Sequence, residues 1–185
     1  MQARVTDAPA GSDRAVECAR RVRLMLFDVD GVLTDGRLWY GPAGETLKAF
    51  HVLDGHGIKL LMQTGTMVGL LSGRSSSAVA VRAAELGIPH VLQGIEDKRA
   101  AFDALCGRLG IAAVEAGFMG DEVVDLPVLQ RCGFACAPAE GHERVRASVH
   151  YVARAPAGAG AAREVCEFIL QAQGRLEAAL ARYLA

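Results

Sequence analysis

Short apolar runs alternate with helix-like segments along most of this chain, and several of the runs end abruptly in a carboxylate, a hydroxyl or a glycine. That alternation is the tightest constraint on what the chain can fold into. Buried strands separated by helices build βαβ units around a mainly parallel sheet. Strands are expected over Val22–Phe27, Met67–Leu71, His90–Leu92, Val114–Met119, Gly133–Ala137 and Val149–Val152. Helices are expected over Asp54–Gln63, Ser75–Leu86, Asp97–Leu109 and Val123–Arg131, with Gly87, Pro89 and Gly110 as stop signals. Arg37–Tyr40, the turn Gly41-Pro42-Ala43-Gly44 and Glu45–Phe50 predict a hairpin.

The chain has 185 residues, which at roughly 100–200 residues per domain suits one domain. Residues 1–11 lack periodicity and are expected to be a loose tail. Residues 12–155 form the expected core, with 37–50 as a flap. Over 156–185, a thin, mobile link rich in Gly and Ala leads into a long helix, Ala162–Tyr183. Because the sheet is complete before it, this last segment is expected to be dispensable for folding. Val165, Phe168, Ile169 and Ala172 form one apolar stripe on it, and Leu176, Leu180 and Leu184 a further packing face.

Twenty basic against 21 acidic residues give a net charge of −1, which favours neither nucleic acid nor an anionic membrane as partner. No run approaches the roughly 20 apolar residues of a membrane span, and no apolar signal region follows Met1. Five scattered cysteines (Cys18, Cys106, Cys132, Cys136 and Cys166) are expected to be reduced core thiols of a cytoplasmic protein.

The chemistry lies at the strand ends, where α/β sheets bind ligands. Asp28 and Asp30 follow the first strand, and a turn at Gly31 can aim both carboxylates at one point. One suits nucleophilic attack on phosphorus, the other proton transfer. Ser72-Gly73-Arg74 follows the next strand and opens a helix, a ready phosphate seat. Lys98, at the start of another helix, can neutralise a phosphate. Asp121, Glu122 and Asp125 follow a fourth strand, and such oxygen-rich ends suit Mg²⁺. Singly, each cluster has an ordinary explanation as a turn, a helix cap or a solvated helix start. Their order and their shared position at strand ends are the signal.

That ordered set resembles the four motifs of the haloacid dehalogenase superfamily. The resemblance implies a Rossmann-like core and a Mg²⁺ cofactor. Asp28 would be nucleophile and metal ligand, and Asp30 the acid/base with its backbone carbonyl on the metal. Ser72, Gly73 and Lys98 would hold the phosphoryl group. Asp121 would ligate the metal and Asp125 support the metal site from nearby.

From about Val22 to Ala179 the chain further resembles the 3-deoxy-D-manno-octulosonate 8-phosphate phosphatase family. The matching stretches are Leu26–Gly36, Phe50-His51-Val52 with Asp54-Gly55, Leu71–Arg74, Gly120-Asp121 with Asp125 and Pro127, and Ala162–Cys166 with Ala172-Gln173-Gly174. This implies a small flap in place of a large cap domain, a sugar-phosphate substrate from lipopolysaccharide precursor synthesis, and a homotetramer whose subunits complete one another's sites. It also turns Lys48, His51, Asp54, Gly55, Lys59 and Arg74 toward the sugar. The chain departs from the family pattern at Leu53, Glu122 and Ala159, where Arg, Asp and Arg are common. Two alternatives stay open: a phosphatase for a nine-carbon sugar acid 9-phosphate, and a non-catalytic assembly module of the same fold.

Overall fold

The protein is described by a computed structural model covering residues 12–42 and 44–183. The expected tail at 1–11 and Leu184 lie outside the described residues. β1 (Leu24–Phe27) is fully buried and lies inside a six-stranded parallel sheet. The other strands are β4 (Met67–Leu71), β5 (His90–Leu92), β6 (Ala116–Met119), β7 (Phe134–Ala137) and β8 (Tyr151–Val152), in the order β5-β4-β1-β6-β7-β8. Phe27 stands opposite Leu70 on one side and Met119 on the other. The chain winds one way from β1 to β5 and the other way from β6 to β8. Such a reversal opens a crevice at the carboxyl end of β1.

Side chains of β1 alternate between faces, as strand geometry requires. Met25 and Phe27 join the core beneath α1 (Asp13–Arg20), α2 (Val52–Gln63), α3 (Ser77–Leu86) and α7 (Ala161–Ala172). Leu24 and Leu26 join the core beneath α4 (Lys98–Leu109), α5 (Leu126–Leu129) and α6 (Glu143–Arg146). All five cysteines are buried free thiols, as their scatter predicts. The flap is a two-stranded ribbon of β2 (Trp39–Gly41) and β3 (Gly44–Leu47), narrower than the hairpin expected over 37–50.

Several elements differ from their sequence-based limits for local reasons. α1 was not expected; Ser12 caps it by accepting the Ala15 N–H at 3.3 Å. α2 starts two residues early because the His51 imidazole accepts the Leu53 N–H. The expected helix over 123–131 is a 3-10 turn, Val123–Asp125, followed by the short α5, with Pro127 in its first turn. The expected long C-terminal helix is broken at Gly174, whose φ of 67° is left-handed, so α7 ends and α8 (Leu176–Ala181) begins afresh.

The largest correction concerns the C-terminal segment. α7 is part of the core, not an appendage. Val165, Cys166, Ile169 and Leu170 are fully buried, and Phe168 stacks on Tyr151 at 4.3 Å and on Phe134 at 5.9 Å. At about 1.5–3 kcal/mol per buried large aliphatic or aromatic side chain, Val165, Phe168, Ile169 and Leu170 contribute about 6–12 kcal/mol. That rivals the net stability of about 5–15 kcal/mol typical of a whole domain. The link is also fixed: Gly158 has a φ of 58° and donates to the Val32 carbonyl at 3.0 Å. A chain ending at residue 155 is therefore expected to lose its cooperative thermal transition, read by circular dichroism. Truncation after Gly174, which removes only α8 and the last turn, should keep it.

Candidate active site

The register of β4, β1 and β6 sets Asp28, Ser72 and Asp121 at three neighbouring strand ends. Asp28 continues the ladder by donating its N–H to the Met119 carbonyl at 2.9 Å. The chain then winds tightly, with the N–H groups of Val32, Leu33 and Thr34 all converging on the Val29 carbonyl. Gly31 makes the turn possible with a φ of 83°. A Cβ at Gly31 would lie 2.1 Å from the Asp121 carboxylate, so glycine lets the two loops meet.

Lys98 reaches into this cluster from the start of α4, which Asp97 caps by accepting the Ala100 N–H at 2.9 Å. The Lys98 ammonium, 6% exposed, lies 2.8 Å from Asp28 Oδ2 and 2.7 Å from Asp125 Oδ1. Asp125 Oδ2 accepts the N–H groups of Asp121 and Glu122 at 3.0 and 3.3 Å. Both oxygens of Asp125 are thus engaged, and the residue braces the cluster from behind. Asp121 Oδ1 is buried without a hydrogen-bond partner among the described residues. Oxygens of Asp28, Asp121 and Asp125 lie within 4.8 Å of one another.

Three carboxylates against one ammonium leave a buried surplus of negative charge. Burial, reinforced by the Asp125 charge and opposed by Lys98, raises the Asp28 carboxyl to about 6. Burial and then the Asp28 and Asp125 charges raise Asp121 to about 7. Burial works against the Lys98 ammonium, but the two carboxylates outweigh it, and its pKa is raised. A partnerless oxygen on Asp121, a shared one on Asp28 and an all-oxygen donor set fit a hard divalent cation, for which Mg²⁺ is well suited. Asp28 and Asp121 are the carboxylates that would hold it.

Asp30 belongs to a second cluster at the base of the flap. It pairs with Lys48, whose side chain is buried, and Arg74 Nε lies 3.7 Å from its other oxygen. Arg74 also donates to the Tyr40 hydroxyl at 2.9 Å, which ties β2 to the loop after β4. Ser72 is buried, and its hydroxyl accepts the Arg74 N–H at 3.3 Å, while Gly73 beside it is exposed. The sequence places Tyr40 in the expected hairpin, but nothing near it in sequence shows its bond to Arg74.

Four residues expected to face the sugar have neighbours within the chain. The Asp54 carboxylate is 2% exposed and accepts the N–H groups of Gly160 and Arg163, so it caps α7. Gly55 packs against α3, where a Cβ would lie 2.3 Å from the Arg82 guanidinium. The His51 imidazole caps its own helix. Lys59 lies farther along α2, near His56, whose pKa is lowered by burial first and then by Arg163, Arg182 and Lys59.

No protein-family model matches the sequence. Individual proteins do. The chain is 40% identical over 171 residues to 3-deoxy-D-manno-octulosonate 8-phosphate phosphatase KdsC of Escherichia coli, covering 92% of this chain and 90% of that one. The chain belongs to the 3-deoxy-D-manno-octulosonate 8-phosphate phosphatase family. Two solved members of that family superpose closely. One, from Moraxella catarrhalis, is in complex with magnesium ion, phosphate ion and a KDO molecule. It has a TM-score of 0.90 at 40% identity and covers 93% of this chain and 99% of that one. The other, from Yersinia pestis, has a TM-score of 0.87 at 40% identity and covers 89% of each chain. These neighbours and a structure described as a haloacid dehalogenase superfamily hydrolase place the fold in that superfamily, and its members in this family are phosphoric monoester hydrolases.

The raised carboxyls give the site a pH signature. A carboxyl whose folded pKa lies above its unfolded value favours the folded chain at low pH. That contribution is lost as pH rises from about 4 through about 6 for Asp28 and about 7 for Asp121. Mg²⁺ competes with those protons and offsets the charge once they leave. The rise in melting temperature on adding Mg²⁺ is thus expected to be large near pH 8 and small near pH 5.5. Thermal melts with and without Mg²⁺ across that range check it, and an equal rise at both ends would contradict the assignment of these carboxylates.

Proposed function

We propose that the chain hydrolyses 3-deoxy-D-manno-octulosonate 8-phosphate to the free sugar acid and phosphate, through an aspartyl-phosphate on Asp28, in lipopolysaccharide precursor synthesis. The observation that carries this reading is the Asp28 carboxylate at the mouth of the β1 crevice, 2.8 Å from the Lys98 ammonium and beside the partnerless oxygen of Asp121. Bound through Asp28, Asp121 and the Asp30 backbone carbonyl, Mg²⁺ would supply the positive charge that lets a phosphate dianion approach two carboxylates.

The residues then divide the work. Lys98 screens Asp28 and offers a second cation to the phosphoryl oxygens. Ser72 and the Gly73 backbone, just past the end of β4 beside β1, hold those oxygens. Asp28 attacks phosphorus, the bond from phosphorus to the sugar's terminal oxygen breaks, and the Asp30 carboxyl gives that oxygen its proton. Asp30, now a carboxylate, takes a proton from water as the water oxygen attacks phosphorus. The bond from phosphorus to Asp28 breaks and phosphate leaves. Lys48 and Arg74 hold Asp30 in place.

The flap supports a compact substrate and a homotetramer. Leu38, Trp39, Tyr40 and Leu47 are all exposed on it, an apolar surface suited to a second copy of the chain. Among the described residues no helix is long and apolar enough to cross a membrane, in keeping with a cytoplasmic enzyme.

Phosphate release from a panel of phosphomonoesters tests the substrate, with the eight-carbon acid 8-phosphate expected to be fastest. A preference for a nine-carbon acid 9-phosphate or a nucleotide would overturn the substrate and spare the chemistry. Asp28→Asn keeps the shape and removes the attacking charge, so a loss of about three decades or more in kcat is expected. Asp30→Asn should be comparably severe. Near-normal turnover by repurified Asp28→Asn would move the nucleophile elsewhere.

A further inference from the structure

α7 begins without a cap of its own. The residue at its N-cap is Gly160, which has no side chain, and the first turn leaves N–H groups exposed that need acceptors. The acceptor is supplied from more than 100 residues away. Asp54, buried in the first turn of α2, takes the Gly160 N–H at 3.2 Å on one oxygen and the Arg163 N–H at 2.9 Å on the other.

The segment between β8 and α7 is thereby held at both ends. At its start, Glu164 takes the N–H groups of Arg154 and Ala155, each at 3.0 Å, and the Tyr151 hydroxyl at 2.7 Å. At its end is the Asp54 cap. Between them, Gly158 donates to the Val32 carbonyl at 3.0 Å, and Ala157 donates to Glu140 at 3.2 Å. Gly158 abuts the backbone of Thr34 and Asp35 so closely that a Cβ would lie 2.6 Å from the Thr34 carbonyl carbon. Val32 and Thr34 belong to the turn that hangs from the Val29 carbonyl, one residue past Asp28 and one before Asp30. Ala157 also lines a cavity of about 260 Å³ shared with Gly31 and Asp121.

We propose that Asp54 is a positioning residue for phosphoryl transfer: by capping α7 it presses the 156–160 turn against residues 32–35, and so fixes the loop that carries Asp28 and Asp30. The proposal rests on the reading of Asp28 as nucleophile. An ordinary cap would matter for stability alone. This one fixes backbone that packs directly on the nucleophile's own turn, and a displacement of about 1 Å there can cost about a hundredfold in rate.

The test compares Asp54→Ala and Asp54→Asn with Gly158→Ala, which enters the same contact from the other side. Ile169→Val, in the buried face of α7, is the control for destabilisation alone. Two quantities are read: kcat and KM at saturating Mg²⁺ on the eight-carbon acid 8-phosphate and on p-nitrophenyl phosphate, and amide hydrogen exchange over residues 29–36. The expected result is a fall in kcat of about ten- to a hundredfold for Asp54→Ala and Gly158→Ala. KM should move less than about threefold, and exchange over 29–36 should quicken in both. Asp54→Asn, with one acceptor oxygen, should lie between these and the wild type. Ile169→Val should lower the melting temperature with kcat and exchange unchanged. If Asp54→Ala does not fold, Asp54→Asn carries the comparison. Unchanged exchange over 29–36, or a kcat within about twofold of wild type in the Asp54 and Gly158 variants, would overturn the proposal. Equal losses in the control would do so as well. Because exchange needs no substrate, its outcome separates this proposal from the functional reading.

Discussion

One buried ammonium among three carboxylates is the interaction on which the rest of the site depends. Lys98 occupies the first turn of α4, the positive end of a helix and a poor place for a cation. It is held there because Asp28 and Asp125 both face it within 2.8 Å. Removing one partner of such a set leaves an uncompensated buried charge, so each member constrains the others. Asp125 is constrained further by the N–H groups of Asp121 and Glu122. Two glycines complete the arrangement by absence. A Cβ at Gly31 would strike Asp121, and one at Gly120 would lie 2.6 Å from Asp125. The buried surplus of negative charge is the counterpart of the site's fit to a divalent ion.

Charge is also segregated in space. The carboxylates of Asp28 and Asp121 carry raised pKa values beside Lys98. Asp30, two residues from Asp28, is turned instead toward Lys48 and Arg74. Neighbours in sequence thus sit beside different cations, Asp28 with Lys98 and Asp30 with Lys48 and Arg74. Because Lys48 follows β3 and Arg74 is tied to Tyr40 in β2, the second environment is built partly by the flap. Flap and Asp30 are mechanically linked.

What was legible in the sequence was local. Asp28-Val29-Asp30-Gly31, Ser72-Gly73, Lys98 and Asp121 each follow an apolar run, and strand polarity alone brings those strand ends to one crevice. The parallel sheet was legible for the same reason. Pairings across the chain were not. Asp54 in the first turn of a helix already has a sufficient local explanation, and nothing near it in sequence shows that its oxygens serve Gly160 and Arg163. α7 carried its apolar stripe in plain view, but the stripe does not say whether the covering surface is the same chain or another. α1 escaped notice because its buried face is made of small residues, Ala15, Cys18 and Ala19, whose periodicity is faint. The break at Gly174 hid inside a run of good helix formers.

The bond between Gly158 and Val32 joins residues 126 positions apart in a 185-residue chain. Synthesis runs from the N-terminus, so the turn that carries Asp28 is made early and its backing is made late. Ribosomes shield the most recent stretch of chain, and α7 must emerge before the link can dock. A nascent chain therefore carries every residue of the metal site well before it can hold them in register. The order of elements along the polypeptide acts as a timer: the turn after β1 gains its backing only once the link and α7 have been made.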